Sequence, residues 1–190
     1  MTVYAKIEDN ELVTAYNGYN GITGLADSPE LCKANGFTAY TEEEISGYFG
    51  GTHQIVNGIL TDISNTTEYI AEQLAKAKAD KLQENTTKRD ARLIAGVTYK
   101  NILFDSDQDQ KINLSAIASN MSDTDTITWF GKDGVSSLSC TKTDIEAIGK
   151  LIIALTQNVW GNLNPTYIDK INACKTIEEL NEIEIDYAAV

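Results

Sequence analysis

The sequence predicts an α+β fold, in which two small modules of hairpins and helices are joined by one long helix. Three observations favour this fold. Short segments of alternating polar and apolar residues flank turn-forming pairs such as Asn-Gly, as in β-hairpins. Threonine is followed three residues later by an acid at several helix starts, which is the capping-box spacing. Residues 66–95 contain neither proline nor glycine and are mostly good helix formers, which predicts the connecting helix.

The N-terminal module, residues 1–65, is predicted to begin with a hairpin that turns at Asp9-Asn10. Residues 16–24 repeat asparagine and glycine, which accept positive φ angles, and this pattern predicts an irregular loop. Residues 28–36 carry the signals of a short helix, because a serine can cap it, a proline suits its first turn and a glycine follows its end.

The rest of this module is predicted to contain a strand, a second helix and a second hairpin. The strand is expected at 37–40. Thr41 and Glu44 have the capping-box spacing, so each side chain can satisfy a free backbone amide at the start of a helix. That helix is predicted to end near Phe49. The Asn-Gly pair within 54–62 favours a type I′ turn and therefore predicts the hairpin.

The predicted connecting helix, 66–95, has one convincing apolar stripe, formed by Ile70, Leu74 and Ala77. Beyond this stripe, charged residues fall on the same face, so we expect the far half to be solvated or packed through long side chains. The helix has six bases against five acids, whereas both modules are acidic. The stripe is therefore a possible oligomer interface, for a trimer or a ring, and packing against the N-terminal module is the alternative.

The C-terminal module, residues 96–190, is predicted to begin with a hairpin that turns at Lys100-Asn101, followed by a helix over 108–121. The segment Asp105–Asp109 begins like a calcium-binding loop, but it lacks the glycine and the final glutamate that an EF-hand needs at later positions. We therefore expect these aspartates to end the hairpin and cap the helix, with an irregular oxygen-ligand site as the alternative.

A second hairpin is expected from strands at 126–130 and 135–139, with Trp129 buried in the small sheet. Thr143 and Glu146 have the capping-box spacing and predict the start of an amphipathic helix. The apolar positions of this helix recur at helical spacing: Ile145, Ile148, Ile152 and Leu155.

The chain is predicted to end with two more helices. One of them contains Tyr167, Ile168 and Ile171. Thr176 and Glu179 again have the capping-box spacing, which predicts a last short helix.

Composition excludes several classes of partner. The formal net charge of −13 disfavours nucleic acid and anionic membrane surfaces. No segment reaches the about 18 continuous apolar residues of a membrane helix, so we expect no membrane insertion. The three cysteines, Cys32, Cys140 and Cys174, are odd in number and far apart, which fits neither a disulfide framework nor a metal site. Synthesis in a reducing cytoplasm follows from that usage.

The residue inventory predicts no enzyme. His53 is the only histidine, so we expect neither a histidine-centred triad nor a metal site with several imidazoles unless another chain contributes. We interpret it as a structural residue at the start of a hairpin. No nucleophile, base and orienting group can be proposed together, so we expect no catalytic, cofactor-binding or metal-binding residues and no cofactor.

The glycine-rich loop offers a possible partner-binding surface. Gly18, Gly21 and Gly24 are spaced as in neither a P-loop nor a dinucleotide-binding fold, so phosphate binding is not expected. Tyr16 and Tyr19 combine apolar area with a hydroxyl group and can offer stacking faces to a sugar or to a protein. Ordinary packing of the loop is the alternative.

The second half of the chain resembles a family of uncharacterised domains found in bacteriophage tail proteins, including tail-fibre and baseplate-associated chains. The resemblance covers residues 88–186 and lies in the order of the pieces. These pieces are KRDARLIAGVTY from Lys88, ILFDSD from Ile102, the strand with Trp129, the capped helix after Thr143, and TIEELNEI from Thr176. The resemblance implies a role in the virion or its assembly and supplies no catalytic residues.

The sequence together with this resemblance predicts a non-enzymatic structural or adaptor subunit of a bacteriophage tail, at a fibre or baseplate attachment. Other tail proteins would be its partners, and the protein would be assembled in the bacterial host cytoplasm and located in the virion tail. Two alternatives remain open, namely a tail-fibre assembly chaperone that is absent from the finished particle and a host-surface binding module.

Overall fold

The computed structural model describes residues 2–188 and confirms the α+β class, with 52% helix and 21% strand. All strand pairs within these described residues are antiparallel. The chain divides into two compact units, Met1–Gln73 and Leu74–Val190, so the boundary lies inside the long helix. None of the helices within 2–188 is both long and apolar enough to cross a membrane.

The N-terminal unit contains a three-stranded sheet, in the order β2-β1-β3, and a separate hairpin. Its elements are β1 (Thr2–Glu8), β2 (Glu11–Thr14), a 3-10 turn (Tyr19–Gly21), α1 (Pro29–Ala34), β3 (Thr38–Thr41), α2 (Glu42–Gly50), β4 (His53–Val56) and β5 (Ile59–Asp62). The predicted caps are confirmed: Ser28 accepts the Leu31 N–H, and Thr41 and Glu44 form both bonds of a capping box.

The C-terminal unit is mainly helical, with two hairpins, and its first helix starts before the unit boundary. Its elements are α3 (Thr67–Ala95), β6 (Val97–Tyr99), β7 (Ile102–Phe104), α4 (Gln108–Asn120), β8 (Thr126–Phe130), β9 (Ser137–Thr141), α5 (Lys142–Thr156), a π-helical segment (Gln157–Leu163), α6 (Asn164–Ala173) and α7 (Ile177–Asn181). Thr176 accepts the Glu179 N–H and caps α7, as predicted.

Three of the four predicted hairpins turn at the predicted residues. In each of them both central residues have positive φ, between 48° and 76°, which is the conformation that a type I′ turn requires. The three pairs are Asp9-Asn10, Asn57-Gly58 and Lys100-Asn101.

The fourth hairpin differs from its prediction at the second strand. β9 occupies Ser137–Thr141 in place of 135–139, because the connecting loop is longer than expected. Asp133 stabilises this loop by accepting the N–H groups of Val135 and Ser136.

The capping box of α5 is likewise two residues earlier than predicted. It is formed by Thr141 and Asp144, whereas Thr143 and Glu146 were expected. The reason is that β9 runs directly into the helix, so its last residue is also the N-cap. The apolar face of α5 is buried as predicted.

The C-terminal unit has one continuous core centred on α5. Ile145, Ile148 and Ile152 are completely or almost completely buried there, and α6, α7 and the C-terminal residues pack around them. The far half of α3 joins this core through Leu82 and Leu93, and Asn85 on the same half is buried, so of the two expected states this half is packed and not solvated.

Candidate interaction site

The three residues of the predicted oligomer stripe on α3 differ in their exposure to solvent. Ile70 is 53% exposed, Leu74 is half-buried, and Ala77 packs against the core of the C-terminal unit. Ile70 therefore presents the most apolar surface for another chain, and Leu74 and Ala77 are both partly exposed.

The two loop tyrosines have different environments. Tyr19 is buried, because its ring packs edge to face on Phe37 and its hydroxyl donates to Glu8 at 2.5 Å. Lys6 lies over the same ring at 4.5 Å from the centroid. Tyr16 is 55% exposed and contacts Tyr19 by its edge, so of the two predicted stacking faces only that of Tyr16 is accessible.

His53 packs closely against its neighbours at the start of β4. It begins β4 opposite Asp62, and its Nδ1 lies 3.2 Å from the Thr52 hydroxyl. A Cβ atom added at Gly47 would overlap the His53 ring, which shows how closely the ring packs on α2.

Of the aspartates before α4, one caps that helix and another forms an ion pair with the loop between β8 and β9. Asp107 accepts the Gln110 N–H at 2.8 Å and is the N-cap, as predicted, while Asp105 pairs with Lys132 at 3.0 Å. Within residues 2–188 no cluster of three or more His, Cys, Asp or Glu side chains is arranged to hold a metal ion.

The three cysteines are free and buried. Burial raises the pKa of the Cys32 and Cys140 thiols, which keeps them protonated at neutral pH. Because the thiolate is the reactive form, neither residue has the environment of a nucleophile.

Asp144 is the acid with the most perturbed environment. Its Oδ1 accepts from the Lys100 ammonium and the Tyr99 hydroxyl, both at 2.7 Å, while its Oδ2 accepts from Thr141. Lys100 and then Tyr99 hold the pKa of this carboxyl well below its usual range. A carboxylate with both oxygens engaged in hydrogen bonds is a poor general base. Through these bonds Asp144 joins the β6–β7 turn to the start of α5.

An apolar groove lies between α4 and α5 in the C-terminal unit. Its volume is about 300 Å³. The floor is formed by Leu114, Ala118, Ile145, Gly149 and Ile152, and Ile153 lines the groove beside this floor. Three charged residues, Lys111, Glu146 and Lys150, line its rim together with Ser115.

The lining residues are spread along α4 and α5, so the groove runs along both helices. On α4 the first and last lining residues are Lys111 and Ala118, seven positions apart, which is about two helical turns or roughly 10 Å. Gly149 opens the floor, because a Cβ atom added there would meet no other atom within 4 Å. Ile153, beside it, is 56% exposed.

A second exposed apolar surface surrounds Lys132. The Lys132 backbone N–H donates to the Leu103 carbonyl at 2.8 Å, and its ammonium donates to the Ile94 carbonyl. Both of those side chains are exposed, as are Phe130 and Val135 on either side of Lys132 in the chain. The alternation along β8 could have indicated Phe130, because it faces away from the buried side of its hairpin.

The sequence did not single out either of these surfaces. The groove depends on which faces of α4 and α5 meet, and the hydrophobic pattern of α5 identified its buried side but not the open space at Gly149. Ile112 on α4 is exposed as well.

A comparison with known families finds one match. A family model described as a domain of unknown function, DUF4376, matches residues 76–189, which is more than half of the chain. That span includes residues 88–186, and the family's description assigns no function. No curated protein and no solved structure matches the chain.

Proposed function

The chain belongs to the DUF4376 family, a domain of unknown function, and we propose that this protein is a non-enzymatic structural or adaptor subunit of a bacteriophage tail. The phage assignment rests on the resemblance of residues 88–186 to domains of tail proteins. The adaptor role rests on one structural observation, the apolar groove between α4 and α5.

The groove supports binding of a protein better than turnover of a substrate. Its floor is apolar, and its charged groups lie at the rim, where no nucleophile and base converge. Asp144 lies outside the groove and accepts from Lys100, Tyr99 and Thr141, and the three cysteines are buried. An exposed apolar groove with a polar rim is typical of a protein interaction surface.

Mass spectrometry of purified virions tests the proposal. A structural subunit should be present in every preparation, at a copy number that fits the rotational symmetry of the tail. The matched control is a known scaffolding or chaperone protein of the same phage, which should be lost on purification. Absence of this chain from virions, together with loss of fibres when its gene is deleted, would replace the proposal with an assembly chaperone.

We also propose that the protein is an oligomer, a trimer or a ring, whose subunits meet through Ile70, Leu74 and Ala77. Because Ile70 is 53% exposed, Ile70→Asp should lower the mass measured by light scattering without changing the far-UV circular dichroism. The control is Ala71→Asp, an exposed position on the same helical turn. A wild-type protein that is monomeric at high concentration would refute the oligomer.

A further inference from the structure

We propose that the α4–α5 groove binds one amphipathic helix of a partner protein, with apolar residues on one face and carboxylates beside them. This inference rests on the proposed adaptor function and names the class of partner for its groove.

The shape of the groove suits a helix. Its long axis follows two turns of α4 and two of α5, so a third helix can lie along both. Ser115, Ala118 and Gly149 are small, which allows the backbone of the occupant to come close. An amphipathic helix in a groove between helices is a recurring mode of peptide recognition.

The apolar surface of the groove continues onto exposed residues. Ile153 lines the groove and is 56% exposed. A small ligand bound on the floor would leave much of the Ile153 side chain in contact with water. An occupant helix with apolar residues at positions i, i+4 and i+7 would cover both the floor and Ile153.

The charges at the rim select an acidic occupant. Lys111 and Lys150 form no ion pair with any residue between 2 and 188. Two basic groups beside an apolar floor are complementary to carboxylates that flank an apolar face. Glu146 also lies on the rim, so the carboxylates of the occupant should be opposite the lysines and not along the whole helix.

Binding of designed peptides to the full chain tests the proposal. The first peptide is an alanine-based helix of about four turns, with leucine at i, i+4 and i+7 and glutamate beside them. The second has lysine in place of glutamate, and the third has serine in place of leucine. By fluorescence anisotropy at low salt, we expect the glutamate peptide to bind about tenfold more tightly than the lysine peptide, and the serine peptide not to bind.

Two variants of the protein locate the binding. Gly149→Trp fills the floor and should abolish binding, whereas Gly161→Trp is the matched control, because an added Cβ there also meets nothing within 4 Å and Gly161 does not line the groove. The double variant Lys111→Glu and Lys150→Glu should reverse the preference in favour of the lysine peptide. Circular dichroism confirms that each variant is folded.

Three outcomes would overturn the proposal. In the first, neither leucine peptide binds. In the second, the peptides bind Gly149→Trp as tightly as the wild type. In the third, the wild type self-associates and Gly149→Trp abolishes this self-association, so that a second copy of the chain is the occupant. The result is independent of the virion measurement. If the protein is present in virions but does not bind the peptides, only this inference is wrong. If it binds the peptides but is absent from virions, only the tail-subunit proposal is wrong.

Discussion

The two compact units bury their apolar residues in different ways. Among the described residues, the N-terminal unit has two separate clusters, with four and three buried side chains. The C-terminal unit has one cluster of sixteen. A small unit with a divided core buries less apolar surface for each ordered residue, so its stability depends more on turns, caps and single polar contacts.

The same difference determines where each unit is sensitive to substitution. Core truncation should be most costly on α5, whereas a lost cap should matter most in the N-terminal unit. Trp129 and Trp160 are the two tryptophans and both lie in the C-terminal unit, so tryptophan fluorescence follows the unfolding of that unit alone.

Ile148→Ala should have the largest effect. Ile148 is fully buried on α5, and truncation to alanine removes apolar contacts and leaves a cavity. We expect the free energy of unfolding of the C-terminal unit to fall by about 2–5 kcal/mol, measured by urea denaturation with tryptophan fluorescence. The control is Ile153→Ala on the same helix, where the side chain is exposed. Equal losses from the two variants would contradict a core centred on Ile148.

Asn85→Ala should have the next largest effect. Asn85 is 1% exposed, donates to Asn164 at 2.9 Å and accepts from the Tyr187 hydroxyl at 2.8 Å. Its removal leaves two buried polar groups without this partner, at a cost of about 1–3 kcal/mol in the same denaturation experiment. The exposed Asn162, changed to alanine, is the control. An unchanged midpoint would show that α3 does not stabilise the unit through this network.

The stability of the C-terminal unit should also depend on pH through Asp144. Lys100 and Tyr99 lower the pKa of Asp144 in the folded state, so the unfolded state binds a proton first as the pH falls through about 4. The stabilisation is complete above the unfolded pKa and is lost as the pH falls toward the folded value. We expect the urea midpoint to fall between about pH 5 and pH 3, and to fall less steeply in Asp144→Asn. Asp123→Asn, at a side chain that is 95% exposed, should keep the wild-type slope.

Thr41→Ala should have the smallest effect, confined to the N-terminal unit. It removes the capping box of α2, which costs about 1 kcal/mol. Hydrogen exchange at the α2 amides should become faster, while the tryptophan-detected transition stays unchanged. Thr38→Ala, an exposed position on β3, is the control. A shift of the tryptophan transition in Thr41→Ala would show that the two units unfold together.

The sequence by itself determined the local structure. Three hairpin turns were predicted at the right residues, because a type I′ turn needs two residues that accept positive φ, and Asn57-Gly58 shows that requirement directly. The caps at Ser28, Thr41 and Thr176 were predictable for the same reason, since a cap joins atoms only three residues apart. The buried face of α5 followed from its helical period.

Only the tertiary structure decided what depends on distant residues. The length of the β8–β9 loop follows from the bonds that Asp133 makes, and the capping box of α5 shifted to Thr141 with it. Asn85 is polar, yet it is buried because Asn164 and Tyr187 satisfy its amide. The α4–α5 groove exists because two helices far apart along the chain meet at small residues, and no local pattern contains that information.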